Sequence, residues 1–134
     1  MNHWVTQIKN MHKQFGINYE GPPRRLSSEE KTFRVLCLDE ELNEYEEAET
    51  MTEEADALVD LIVFALGSLE RHGYPADGIF NAVMNANSTK QLAEKKSDSK
   101  RSFELDLIKP KGWLGPEKHI NDILTRQETL NEKR

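Results

Sequence analysis

The chain has 134 residues, of which 31% are charged and 37% hydrophobic, and its net charge is −6. That length bounds it to one domain, or one subunit of an assembly, with a real but modest core. An acidic balance excludes a general nucleic-acid coat, because phosphate backbones demand a basic face, yet it leaves room for a nucleotide ligand whose charge a bound metal would meet.

The elements read in chain order are mostly helical. Over residues 3–15, Trp4, Ile8, Met11 and Phe15 fall at steps of three and four and form one apolar stripe, which Gly16 ends. Gly21-Pro22-Pro23 forbids helix, so residues 17–27 form an ordered or extended loop. Ser27 or Ser28 is a sound N-cap for a second helix running through Phe33, Leu36 and Cys37 to about Glu49. Thr52 can cap a third helix, with Leu58, Leu61, Ile62, Ala65 and Leu69 as a broad apolar face. A face that wide suits the centre of a bundle or a subunit interface. His72-Gly73 and Pro75 stop this helix, and a shorter one follows from Ala76 to Ala86. Residues 91–103 read as an exposed loop. Lys109 to Trp113 form another turn, a last helix covers Pro116 to Gln127, and residues 128–134 read as frayed. The expected architecture is a single all-α domain over 1–134, four-helix-bundle-like.

Cys37 is the one cysteine, so no internal disulfide forms, and its apolar setting points to core packing. No apolar stretch approaches the length of a membrane span and the N-terminus lacks a signal-peptide core, so the expected location is cytoplasmic, with no membrane partner.

The most informative stretch is acidic. Glu40-Glu41-Leu42-Asn43-Glu44 and Glu53-Glu54-Ala55-Asp56 place an ExxE step and an ExxD step on consecutive helices. Residues three or four apart share a helical face, so Glu41 pairs with Glu44 and Glu53 with Asp56. If the helices fold back on each other, four carboxylates converge, and they resist ionising together unless a cation lies among them. Clustered hard oxygen donors are what Mg²⁺ or Mn²⁺ take.

These motifs resemble those of the all-α nucleoside triphosphate pyrophosphohydrolases, the superfamily of MazG-like proteins, dimeric dUTPases and phosphoribosyl-ATP pyrophosphohydrolases. Glu40, Glu41 and Glu44 match the EExxE part of its signature, and Glu53 and Asp56 the ExxD part. Glu53 to Leu61 resembles the family's ExADALADL helix, and Asn87-Ser88-Thr89-Lys90 the end of its SNMSK motif. Lys109 to Trp113 and the opening His12, Phe15 and Gly16 resemble elements of a phage and bacterial branch. Three features depart from the pattern: a shorter gap between the acidic steps, Met84-Asn85 where many relatives have His-Arg, and Ser88 where they have Met.

The resemblance implies hydrolysis of an NTP or dNTP at the α-phosphate to the monophosphate and pyrophosphate, a nucleotide-pool house-cleaning activity. Glu41, Glu44, Glu53, Asp56 and, one turn further, Asp60 are the expected ligands of Mg²⁺ or Mn²⁺. Glu40 or Glu41 activates the water; the spacing does not separate them. Asn87, Lys90 and Lys109 are the expected substrate contacts. Each has a plainer alternative: a helix C-cap for Asn87, and solvated surface lysines for Lys90 and Lys109. Trp113 reads as a packing anchor before a base-stacking platform. His12 and His72 lack Cys or His partners at zinc spacing and receive no metal role. The resemblance also implies a homodimer or homotetramer, and no nucleic-acid polymer as partner. Two other readings stand beside this one: a phosphoribosyl-ATP pyrophosphohydrolase, and a non-catalytic helical protein that keeps the fold for regulation or interaction.

Overall fold

Capping chemistry sets the helix boundaries in the computed structural model, which describes residues 3–132, with side chains over 3–126. Helix α1 (His3–Gln14) ends on Gly16, whose φ of 73° lets its N–H reach the Lys13 carbonyl and the Ile17 N–H reach that of His12. Helix α2 (Ser28–Glu47) starts at Ser27, whose hydroxyl accepts from the Glu30 N–H at 3.1 Å. Helix α3 (Met51–His72) is capped by Thr50 rather than Thr52: the Thr50 Oγ1 accepts from the Glu53 N–H at 3.1 Å. The correction follows from geometry, because an N-cap hydroxyl serves the amide three residues on, and Thr52 lies inside the first turn. Gly73, at φ 71°, closes α3 with the same bond pattern as Gly16.

Three residues, Ala48–Thr50, join α2 to α3 and force them antiparallel. Their contact brings Glu41 opposite Asp60 and, two turns away, Arg34 opposite Gly67. Ala57 and Gly67 are buried on α3, and small side chains there let the two backbones approach. Helix α1 packs on α3 with Ile8 and His12 inward.

The side of α2 turned to the interior carries Arg34 and Glu41, whereas Phe33, Val35 and Leu36 are exposed, Leu36 by 62%. On α3, Leu58, Val59 and Ile62 also remain open to solvent, and so do Trp4 and Phe15 of the expected α1 stripe. The apolar periodicity of these helices marks a face that this chain alone leaves uncovered. Cys37 is free and half-buried.

The chain forms two compact units, one from its start to Asp77 together with the stretch from Leu124 onward, the other Gly78–Ile123. The second unit holds most of helix α4 (Ala76–Asn87) and a two-stranded antiparallel ladder of β1 (Gln91–Leu92) and β2 (Leu107–Ile108). Gln91 pairs with Ile108 and Leu92 with Leu107. Strands this short carry no alternation that a sequence reading could detect, so residues 91–103 read as loop. Inside the ladder's connection, Ser99 is buried and its hydroxyl donates to Asp106 at 2.7 Å, while the Arg101 guanidinium holds the Asp106 carboxyl below its usual range. Helix α5 (Glu117–Glu132) follows. The helix runs past its expected end at Gln127 to Glu132, and the last two residues of the stretch expected to fray, 133–134, lie outside the described residues. No helix among the described residues is long and apolar enough to cross a membrane.

Candidate active site

The α2–α3 hairpin gathers the acidic steps at its turn end. Glu44, Glu53 and Asp56 line an open cleft of about 260 Å³, joined by Glu47, which the spacing argument left out. Glu47 is three residues past Glu44, one turn along the same face, so its position was legible. Glu53 has a second duty, since its Oε1 accepts from the Thr50 hydroxyl at 3.0 Å. Among the described residues no group of three or more His, Cys, Asp or Glu side chains is placed so that it could hold a metal ion. The carboxylates surround a space instead, as like charges at this density must.

Glu41 is the buried member. Its Oε2 has no hydrogen-bond partner, and burial first, then Glu44 and the charges of Asp60 and Glu40, push its carboxyl up to about 7. Asp60 is half-buried and shifts the same way: burial is the main cause, Asp56 and Glu44 add to it, and a hydrogen bond with Glu41 opposes it. Glu40 is exposed beside them. Glu41, Glu44, Glu53, Asp56 and Asp60 are hard oxygen donors, the type a divalent cation takes, but in this arrangement they do not converge on one point.

The other expected substrate contacts belong to the second unit. Asn87 is half-buried at the end of α4, and Lys90 and Lys109 place their ammonium groups 5.3 and 5.2 Å from the centroid of the Trp113 ring. The Trp113 indole N–H donates to the Ala86 carbonyl at 3.0 Å, which fixes the ring against α4.

A buried polar chain escaped the sequence reading. The His12 Nδ1 hydrogen-bonds the Glu70 carboxylate, whose other oxygen accepts from the Tyr19 N–H at 2.8 Å. Arg34, only 8% exposed, lies across Gly67 from the other nitrogen of His12. A Cβ on Gly67 would stand 3.1 Å from the Arg34 Nη1 and 3.2 Å from the His12 Nε2, so glycine makes room for both. The signal was present: Arg34 lies seven residues before Glu41, and Gly67 seven after Asp60, which puts each on an already identified face.

Residues 17–27 are tied to the end of α3 by the same neighbourhood. Arg71 holds Glu30 through two bonds of 2.6 and 2.9 Å, and the Arg24 N–H and side chain donate to the His72 and Arg71 carbonyls. The Arg24 guanidinium also lies 3.6 Å above the Tyr19 ring.

The model of one protein family, phosphoribosyl-ATP pyrophosphohydrolase, matches residues 8–87. That stretch contains every residue of the acidic cleft and the His12–Arg34–Glu70 chain, and it ends at Asn87, so Lys90, Lys109 and Trp113 fall outside it. No curated protein matches the chain.

Proposed function

The chain belongs to the phosphoribosyl-ATP pyrophosphohydrolase family, within the all-α MazG-like superfamily, and from that premise and the acidic cleft we propose a metal-dependent hydrolase of nucleoside triphosphates. Membership makes it an enzyme, a pyrophosphohydrolase acting on phosphoric anhydrides. The proposed substrate is an NTP or dNTP, split at the α-phosphate to the monophosphate and pyrophosphate.

The observation that carries this reading is the buried Glu41 carboxyl, with one oxygen unpartnered, which burial first and then Glu44, Asp60 and Glu40 push up to about 7. A cluster that opposes its own ionisation calls for a cation, and Glu41, Glu44, Glu53, Asp56 and Asp60 are the proposed ligands of Mg²⁺ (or Mn²⁺). When bound, the ion neutralises triphosphate oxygens and makes the attacking water more acidic. Glu40, exposed and about 100° around the helix from Glu41, accepts the proton of that water in the proposed reaction. Asn87, Lys90 and Lys109 remain the proposed substrate contacts.

A second reading has its own support, because the matching family is described by phosphoribosyl-ATP. That molecule presents the same triphosphate to the same carboxylates. Met84-Asn85 in place of His-Arg favours the simpler nucleotides. A homodimer or homotetramer is the proposed assembly: Trp4, Leu36, Leu58, Val59 and Ile62 expose apolar surface on α1, α2 and α3 that a second copy would cover. The proposed setting is cytoplasmic.

The test is a panel of NTPs, dNTPs and phosphoribosyl-ATP incubated with Mg²⁺ or Mn²⁺ and assayed for pyrophosphate. Turnover of one substrate class by wild-type protein, lost in Glu41→Gln, is the expected result. Silence of both proteins across the panel ends the reading, and release of orthophosphate refutes attack at the α-phosphate.

A further inference from the structure

The β1–β2 ladder is apolar on both of its faces. Residues opposite each other across an antiparallel pair share a face, and neighbours along a strand alternate between faces. Ala93, whose N–H donates to the Asp106 carbonyl, is buried and Ile108 is half-buried, so these two mark the inner face. Leu92 and Leu107 form a cross-strand pair on the other face and are exposed by 57 and 50%. Phe103 and Leu105, in the connection between the strands, are exposed as well. A ladder that meets water on one side ordinarily turns polar residues outward, and two strands alone need a helix or a third strand against them to be stable. The uncovered leucine pair marks a face built for a second layer.

Charge distinguishes what would cover it. Residues 90–111 hold seven Lys and Arg against four Asp and Glu. Two of those four are already engaged, Asp106 by the Arg101 guanidinium and Asp98 by the Lys95 N–H at 3.3 Å. Lys95, Lys96 and Lys100 are exposed, and none of them is ion-paired among the described residues. The complement lies on the same chain. Residues 39–56 hold ten Asp and Glu and no Lys or Arg. Along α2, Val35, Leu38, Leu42 and Tyr45 recur at steps of three and four, with Leu38 half-buried and the other three exposed. Asp39 and Glu46, both exposed, neighbour Leu42 at the same helical spacings. This stripe therefore joins apolar surface to negative charge, where the ladder joins apolar surface to positive charge.

We propose that the Leu92–Leu107 face of one copy docks on the Leu42–Tyr45 stripe of α2 in a second copy. The leucines supply the buried area, and the opposite charges around them set the register and speed the encounter. The two surfaces are unlike and every copy carries both, so the contact is heterologous. It uses residues other than Trp4, Leu36, Leu58, Val59 and Ile62 of the assembly proposed above, and it requires neither metal nor turnover.

Cross-linking between copies reads the contact directly. Cys37→Ser removes the chain's one thiol. In that background, Leu107→Cys in one copy and Leu42→Cys in a second, tagged copy are expected to form a disulfide-linked heteropair when mixed and oxidised. Its yield is expected to fall at least about tenfold in about 1 M NaCl, where charges are screened beyond roughly 3 Å. Lys95→Glu, Lys96→Glu and Lys100→Glu together in the Leu107→Cys copy lower the yield likewise. Asp39→Lys with Glu46→Lys in the other copy then restores it, which an unfolded variant could not do. Absence of the heteropair, or a yield indifferent to salt and to charge reversal, overturns the contact. A chain carrying both substitutions that closes on itself at a yield independent of dilution rules out the second copy as occupant. So does binding of the wild-type protein to phosphatidylserine vesicles with no heteropair. A stable oligomer without the heteropair ends this contact alone and leaves the apolar assembly proposed above standing.

Discussion

The two ends of the α2–α3 hairpin solve the same problem in opposite ways. Near the turn, Glu41 faces Asp60 with Glu44 and Asp56 close by, and every charge has one sign. Two turns away, roughly 10 Å along the helix axis, Arg34 faces Gly67 and His12, and His12 is hydrogen-bonded to Glu70. At the far end His12, Glu70 and the Tyr19 N–H bond one another, while Arg34 packs beside them with its Nε unpartnered. The turn end leaves Glu41 with an unpartnered oxygen and a raised pKa. Buried polar groups that complete one another hold a fold together, whereas those that do not are where a ligand has something to add.

Predictions that break this contrast rank by size. At the turn end, Glu41→Gln is expected to lower pyrophosphate release by about 100-fold or more, since changes even in groups behind metal ligands cost 10–100-fold. The same variant is expected to fold at least as stably as wild type in EDTA at pH 8, because it removes an ionised, self-repelling group; calorimetry decides. A drop in melting temperature there would show Glu41 to be a structural partner instead. At the far end the signs reverse. Arg71→Ala breaks the paired bonds to Glu30 and the bond to the Ile17 carbonyl, with an expected loss of about 2–3 kcal/mol in urea unfolding. Gly67→Ala drives a methyl into Arg34 and His12 and is expected to cost about 1–3 kcal/mol. Thr50→Ala removes the α3 cap and the hydroxyl on Glu53, for about 1 kcal/mol.

A further effect is one of pH. A raised pKa means that the native state holds the Glu41 proton more tightly than the unfolded chain does. Its contribution to stability is therefore full below about 4.5, and is lost as pH rises through about 7. Asp60 acts in the same direction. In EDTA the melting temperature should decline across that window, flatten in Glu41→Gln, and recover at pH 8 when Mg²⁺ is added. A wild-type profile that rises instead would place the governing group elsewhere.

Much of the site was readable because helical spacing is rigid. Glu41, Glu44, Glu53, Asp56 and Asp60 needed only the 3.6-residue period and a short turn to be brought near one another, and Ser27, Gly16 and Gly73 marked their helix ends by chemistry local to the chain. Thr50 was missed because two threonines compete within one turn and only the fold shows which hydroxyl meets the Glu53 amide. The apolar stripes were read correctly as stripes. That Phe33, Leu36 and Leu58 stay exposed in this chain, while Arg34 and Glu70 go inside, is a decision of packing.

The sequence by itself determined the all-α class, most helix ends and the acidic steps, since these follow from interactions within a few residues. Only the tertiary structure decided that Glu41, alone among the described carboxylates, is buried with a free oxygen, that Gly67 yields its space to His12 and Arg34, and that Trp113 lies against Ala86 beside an open cavity. Each depends on residues tens of positions apart meeting across an interface, and no local period encodes which of them will touch.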